Sequence, residues 1–76
     1  MNKYYNKKEP AIEIGSNLKA ARRAKGLTQK VMASELNITL QQYSRFESGI
    51  QEMGYQQIKT VCEILDIDAN ELFGIK

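Results

Sequence analysis

Between Thr28 and Gly49, the spacing of apolar and polar positions predicts two short helices joined by a tight turn. Thr28 supplies a polar N-cap for the first helix. Met32, Ala33 and Leu36 follow at helical spacing, so their side chains point in one direction. This helix therefore presents a single apolar face to a core.

The second helix of this pair is predicted to have one apolar and one polar side. Asn37 readily adopts a left-handed conformation and should end the first helix, and Thr39 should cap the second. Tyr43 and Phe46 form the apolar side. The opposite side covers a sector of roughly 140°, made of Leu40, Gln41, Ser44, Arg45 and Ser48. A merely solvated face more often carries Glu and Lys, whereas amides, a hydroxyl and one Arg can pair with base edges in a major groove.

A helix before this pair should run from about Gly15 or Ser16 to Lys25 and end at Gly26 in a left-handed cap. Its inward stripe consists of Ile14, Leu18, Ala21 and Arg22. An Arg on an inward stripe needs a partner, because an unpaired buried charge is very costly. The alternative is that Arg22 extends its charged head into water.

Two more helices are predicted after the central pair. The fourth runs from about Tyr55 to Leu65, and its core side is formed by Tyr55, Ile58, Val61, Cys62 and Leu65. The short last helix has Asp68 as its cap, with Glu71 three residues later. Cys62 is expected to pack in the core rather than to act as a redox sensor.

The length of 76 residues allows one small domain, and the composition is that of a soluble globular chain. No apolar run approaches a membrane span, and the first ten residues lack the apolar core of a signal peptide. A single cysteine fits a reducing compartment, so we expect a cytoplasmic protein. Without histidine or a glycine-rich phosphate loop, the sequence predicts no enzyme, no metal site, no cofactor and no small-molecule substrate.

Charge is distributed unevenly along the chain. Residues 1–30 carry eight Lys or Arg and two acids, a balance of +6, whereas residues 31–76 carry three and seven, a balance of −4. Residues 1–11 are interpreted as a flexible basic N-terminal tail, residues 12–74 as the domain and residues 75–76 as its end. The tail could be a basic arm that follows DNA, a frayed terminus or a segment that binds a partner.

The sequence as a whole resembles the Xre/Cro-type helix-turn-helix family, the phage-repressor-like DNA-binding domains. The resemblance covers about 60 residues in one colinear pattern. It is carried by Ile14-Gly15, Leu18, Arg22, Gly26-Leu27-Thr28-Gln29, Met32-Ala33, Ile38-Thr39, Glu47, Gly49, Ile58, Val61, Leu65 and Leu72-Phe73. It implies an all-α, compact five-helix, lambda-repressor-like domain whose helices 2 and 3 form the helix-turn-helix.

The resemblance and the residue chemistry together assign candidate contacts to DNA. Base contacts are expected from Gln41 to adenine and from Arg45 to guanine, with a phosphate as the alternative for Arg45. Ser44 could bond to a base or to the backbone, and Leu40 offers only apolar contact, as with a thymine methyl group. Phosphate contacts are expected from Thr28, Gln29, Gln42 and Ser48. The resemblance also names Glu47 as the partner of Arg22. For each outward side chain the alternative is simple exposure to solvent.

We therefore expect a sequence-specific regulator of transcription, a repressor, that binds a palindromic operator on double-stranded DNA as a homodimer. Ile64, Ile75 and the segment Ile50 to Met53 are candidates for the dimer surface. The alternative is an adaptor of the same fold that binds a protein, such as an antirepressor or an antitoxin. It is suggested by the loop Ile50-Gln51-Glu52, which is neutral to acidic where relatives often carry Lys and Arg for phosphates.

Overall fold

The computed structural model of the protein describes residues 8–75, which form five helices and no strand. The helices are α1 (Lys8–Ala24), α2 (Gln29–Leu36), α3 (Leu40–Ser48), α4 (Tyr55–Leu65) and α5 (Ala69–Phe73). The predicted all-α architecture is confirmed. None of these helices is long and apolar enough to cross a bilayer.

The central pair of helices begins and ends where the sequence predicts. The Thr28 hydroxyl accepts a hydrogen bond from the backbone N–H of Val31 at 3.1 Å, which caps α2. Asn37 then adopts the left-handed conformation, with φ of 57°, and ends the helix. Thr39 caps α3, and Gly49 ends it with φ of 80°. Three residues therefore separate two helices, each of which begins at a threonine side-chain cap and ends at a residue in the left-handed conformation.

The predicted start of the first helix was wrong, because α1 begins at Lys8 rather than near Gly15. Proline is tolerated at Pro10 because the first turn of a helix has no intrahelical acceptor for that N–H. The first turn of α1 thus takes in residues 8–11 of the predicted tail. Residues 1–7 lie outside the described residues.

Gly15 is an interior residue of α1, where it allows the helix to lie directly on α3. A Cβ at this position would come within 2.5 Å of the carbonyl oxygens of both Phe46 and Glu47. Glycine destabilises a helix interior by roughly 1 kcal/mol relative to alanine. The close approach of the two helices explains why glycine is present despite that cost.

The core lies between α1 and the other helices. α1 packs on α3 and α5, α2 packs on α3 and α4, and α4 packs on α5. The buried hydrophobic side chains are Leu18, Met32, Ala33, Tyr43, Phe46, Val61, Leu65 and Leu72. The predicted inward stripe of α1 is confirmed, since Leu18 and Arg22 are buried and Ile14 and Ala21 are half-buried.

The sequence placed Tyr55 in the core, and this was wrong. Tyr55 is 95% exposed. It is the first residue of α4, and helical side chains tilt toward the N-terminus, so its ring projects past the end of the helix. Cys62, which lies on the same helix, is only half-buried.

Candidate nucleic-acid interface

The outer side of α3 is polar and open to solvent. Gln41 and Arg45 are exposed, and Leu40 is 49% exposed. The inner side is anchored by Tyr43 and Phe46, whose rings meet edge to face at a centroid distance of 6.4 Å. Because packing fixes the inner side, the outer side chains are presented on a rigid helix.

Ser44 and Ser48 are less available for contact with a ligand than the sequence pattern suggests. Ser44 is half-buried at the border between the two sides of α3. Ser48 is exposed, but its hydroxyl donates a hydrogen bond to the carbonyl oxygen of Arg45 at 3.2 Å. The polar outer side is therefore dominated by the amide of Gln41 and the guanidinium of Arg45.

Gln42 has a structural role that the sequence analysis missed. Its side-chain oxygen accepts a hydrogen bond from the backbone N–H of Thr39, and the Thr39 hydroxyl accepts one from the backbone N–H of Gln42, both at 3.0 Å. The spacing of a threonine and a glutamine three residues later signals this capping box. The amide nitrogen of Gln42 is not part of the box and remains available as a donor.

The N-terminus of α2 lies on the same helix-turn-helix unit as the outer side of α3. The backbone N–H groups of Gln29 and Lys30 precede the first intrahelical hydrogen bond and carry the positive end of the helix dipole. The hydroxyl of Thr28 already accepts the capping hydrogen bond from Val31. This terminus can therefore accept an anion through its first two backbone amides.

The side chain of Gln29 is held from inside the domain. Its Nε2 donates a hydrogen bond to Oε1 of Glu47 at 2.9 Å, so the amide is half-buried and oriented. Eighteen residues separate the two positions, and no local sequence signal predicts such a contact. Each amide nitrogen carries two protons, so one N–H of Gln29 remains for a ligand.

The ion pair that the resemblance implies is present. Nε of Arg22 donates to Oε2 of Glu47 at 2.6 Å, and Nη2 donates to Oε1 at 3.1 Å. Nη1 of Arg22 donates to the carbonyl oxygen of Leu27 at 2.8 Å. The side chains of Arg22 and Glu47 are only 9% and 3% exposed, which excludes the alternative of an Arg head in water. The pair joins α1, the start of α2 and the end of α3.

The ionised forms of both partners are favoured. Burial acts to raise the pKa of the Glu47 carboxyl, but the polar hydrogens around it, those of Arg22 foremost, then the Tyr43 hydroxyl and the Gln29 amide, hold that pKa below its usual range. The hydrogen bond to Glu47 raises the pKa of Arg22, against the opposing effect of burial. This corner of the domain is therefore a charged network, fully ionised at neutral pH.

A buried phenol lies beside this network. The Tyr43 hydroxyl is buried and makes no hydrogen bond within residues 8–75. Burial first, and the proximity of the Glu47 carboxylate to the hydroxyl second, raise the pKa of Tyr43 far above its ordinary value, and the negative charge of Glu47 adds to this effect. The phenol thus stays neutral and contributes packing rather than charge.

Comparison with known proteins gives the family context of this unit. A family model described as a helix-turn-helix domain matches residues 15–74. An uncharacterised HTH-type transcriptional regulator of Sinorhizobium medicae is 30% identical over 71 residues, which is 90% of this chain and 51% of that protein. A second uncharacterised HTH-type transcriptional regulator, YqaE of Bacillus subtilis, is 39% identical over 59 residues, which is 78% of this chain and 51% of that protein. The chain thus spans about half the length of these relatives.

Two solved structures share the fold. The restriction-modification controller protein C.AhdI from Aeromonas hydrophila superposes with a TM-score of 0.75 at 28% identity, over 83% of this chain and 96% of its own. The clp gene regulator ClgR from C. glutamicum has the same TM-score at 22% identity, over 82% and 80%, and shows the fold alone. The five-helix domain with a helix-turn-helix in α2 and α3 is therefore confirmed.

Proposed function

Since the chain belongs to the Xre-type helix-turn-helix family, we propose that it regulates transcription by binding a specific site on double-stranded DNA. One observation carries the proposal: the amide and guanidinium side of α3 faces solvent on a helix whose other side is locked in the core. A helix of this size fits the major groove of B-DNA. The relatives are named as regulators rather than enzymes, which agrees with a binding domain that performs no catalysis.

We propose that α3 lies in the major groove and reads the bases. Gln41 would make a bidentate contact to adenine and Arg45 one to guanine, the pairings that suit their donor and acceptor geometry. Leu40 would contact a thymine methyl group, and Ser44 a neighbouring base edge. Gln41 and Arg45 differ by about 40° around the helix axis, so both can face the same stretch of groove.

The phosphate contacts are assigned to the ends of the two helices. The backbone amides of Gln29 and Lys30 and the free N–H of the Gln29 side chain would hold one phosphate, with Thr28 beside them. Gln42 is exposed near the start of α3 and Ser48 at its end, and both would contact the DNA backbone that borders the groove. These contacts would set the register in which α3 meets the bases.

We propose that the protein acts as a homodimeric repressor at a palindromic operator. One copy offers a small interface, and two copies could read half-sites about 34 Å apart on one side of the duplex. Ile50 and Ile75 are 76% and 59% exposed, which leaves apolar surface for contact with a second copy. Ile64 is half-buried against the core and offers less of such surface.

Selection of binding sites from random duplex tests the reading of DNA. We expect the full chain to recover a palindrome. Gln41→Ala and Arg45→Ala should each weaken binding to that site by about 1–3 kcal/mol and relax the preference at one base pair. Gln56→Ala and Lys59→Ala on α4 are matched controls and should leave the preference intact. Variants on α3 that bind with unchanged preference would refute the assignment of the reading side.

Salt dependence separates this proposal from the adaptor. Gln51 and Glu52 are exposed in the loop after α3 and add no positive charge there, which is the feature that favours an adaptor of the antirepressor or antitoxin kind. If phosphates are engaged, the logarithm of the affinity for duplex DNA falls linearly with that of the salt concentration, with a slope of about −0.9 per phosphate contact. A flat response, or no binding to any duplex, would favour the adaptor.

A further inference from the structure

A shallow apolar groove runs between α4 and α5, on elements that carry none of the proposed DNA contacts. Its volume is about 390 Å³, and its floor is formed by Ile58, Cys62 and Ile67. Tyr55, the most exposed large hydrophobic residue in the described part of the chain, stands at one end. We call this feature the α4–α5 groove. Its exposed aromatic and aliphatic surface is of the kind that marks an interaction site.

The border of the α4–α5 groove is acidic. Glu63 and Asp68 line it together with Lys59. Glu71 is close enough for its charge to act, with those of Asp68 and Glu63, on the Cys62 thiol. Three carboxylates against one ammonium give a local charge of −2. A segment that combines apolar rings with about two positive charges would complement this surface.

The groove continues to the start of α1. Ile58 lines the α4–α5 groove and also a neighbouring apolar cavity of about 280 Å³, whose other walls include Pro10, Ala11 and Phe73. Phe73 and the groove residue Ala69 lie one turn apart on α5. Pro10 and Ala11 belong to the first turn of α1. The first turn of α1 therefore lies at one end of this apolar surface.

We propose that the α4–α5 groove is the docking site of this chain's own residues 1–7. The sequence of this segment, MNKYYNK, carries Lys3 and Lys7, a charge of +2, around Tyr4 and Tyr5. Seven residues can span up to about 25 Å, whereas the groove follows α4 from Tyr55 to Glu63, a distance of about 12 Å along the helix axis. The segment is thus long enough, and of the right charge and apolarity, to fill the groove of the same molecule.

Docking would give the segment a regulatory role. While Lys3 and Lys7 are paired with Glu63 and Asp68, they cannot add phosphate contacts on DNA. A duplex would have to compete with the carboxylates for them. The docked segment would therefore lower the contribution of the N-terminal charge to any binding of DNA, and the contact would weaken as salt screens the charges.

The test is methyl-detected NMR of the full chain at low salt, without DNA. We expect nuclear Overhauser effects between the ring protons of Tyr4 or Tyr5 and the methyl groups of Ile58 and Ile67. Lys3→Glu combined with Lys7→Glu should abolish them, and Glu63→Gln should weaken them. Tyr4→Ser combined with Tyr5→Ser should shift the methyl resonances of Ile67, because the ring currents are removed.

Lys19→Glu combined with Arg23→Glu is the matched control. It reverses two exposed charges of α1 and should leave the contacts unchanged. No contact at low salt, or methyl shifts of Ile67 that are the same in the Tyr4→Ser, Tyr5→Ser variant, would overturn the proposal. A mixture of labelled and unlabelled chains decides the remaining point, since contacts between different molecules would show that a second copy occupies the groove.

Discussion

Arg22 and Glu47 meet through two hydrogen bonds, of 2.6 and 3.1 Å, across the interface of α1 with α3. The same carboxylate orients Gln29 at the start of α2. One buried charge pair thus fixes the relative placement of three helices and of a proposed phosphate ligand. The backbone carbonyl groups of Glu47 and of its neighbour Phe46 also form the surface on which Gly15 lies.

Arg22→Met should destabilise the domain by about 3–5 kcal/mol, because it leaves the buried carboxylate of Glu47 without its charge partner. Glu47→Leu should destabilise the domain by a similar amount, because it leaves the buried guanidinium of Arg22 without its charge partner. The double variant should be more stable than the sum of the two single effects predicts. Urea denaturation of the wild type, the two single variants and the double variant gives the coupling energy. Strictly additive losses of unfolding free energy would show that the pair is not coupled.

Acid should destabilise the protein through Glu47. The pKa of this carboxyl is lowered in the folded state from an ordinary value of 4.5, so its stabilisation is present above pH 4.5 and is lost as the pH falls through the lower folded pKa. The difference in unfolding free energy between the wild type and Glu47→Gln should therefore shrink toward low pH. In an Arg22→Met background this pH dependence should be weaker. Denaturant titrations between pH 7 and pH 3 would reveal a constant difference if the reasoning fails.

Gly15→Ala should destabilise the domain by about 1–3 kcal/mol, although alanine is the better helix former. The added Cβ would lie 2.5 Å from two backbone carbonyl oxygens of α3, which cannot move aside as a flexible side chain can. Ser16→Ala, at the exposed neighbouring position, is the control and should change stability by less than about 0.5 kcal/mol. Equal thermal midpoints for the two variants would contradict the close helix contact.

Tyr43→Phe should leave stability unchanged or raise it by up to about 1 kcal/mol. The substitution removes a buried hydroxyl that makes no hydrogen bond in the described residues while it keeps the ring that packs on Phe46. Tyr55→Phe, at a 95% exposed ring, should be neutral. A loss of more than about 1 kcal/mol in Tyr43→Phe would show that the hydroxyl is satisfied in solution.

The sequence by itself determined the helix-turn-helix. Thr28, Asn37 and Thr39 fix the ends of α2 and α3 through bonds within a few residues, and the period of apolar residues decides which side is buried. Such signals are local, so one chain without relatives is enough to detect them. The ion pair of Arg22 with Glu47 came from the resemblance, since periodicity alone showed only that Arg22 faces inward.

Only the tertiary structure decided the features that depend on contacts between distant segments. The role of Gly15 follows from the close approach of α1 to α3. The hold of Glu47 on Gln29 joins positions 18 residues apart. Helical periodicity predicts the direction of a side chain around the axis of its helix. Whether that side chain then contacts another residue or solvent depends on how the helices pack.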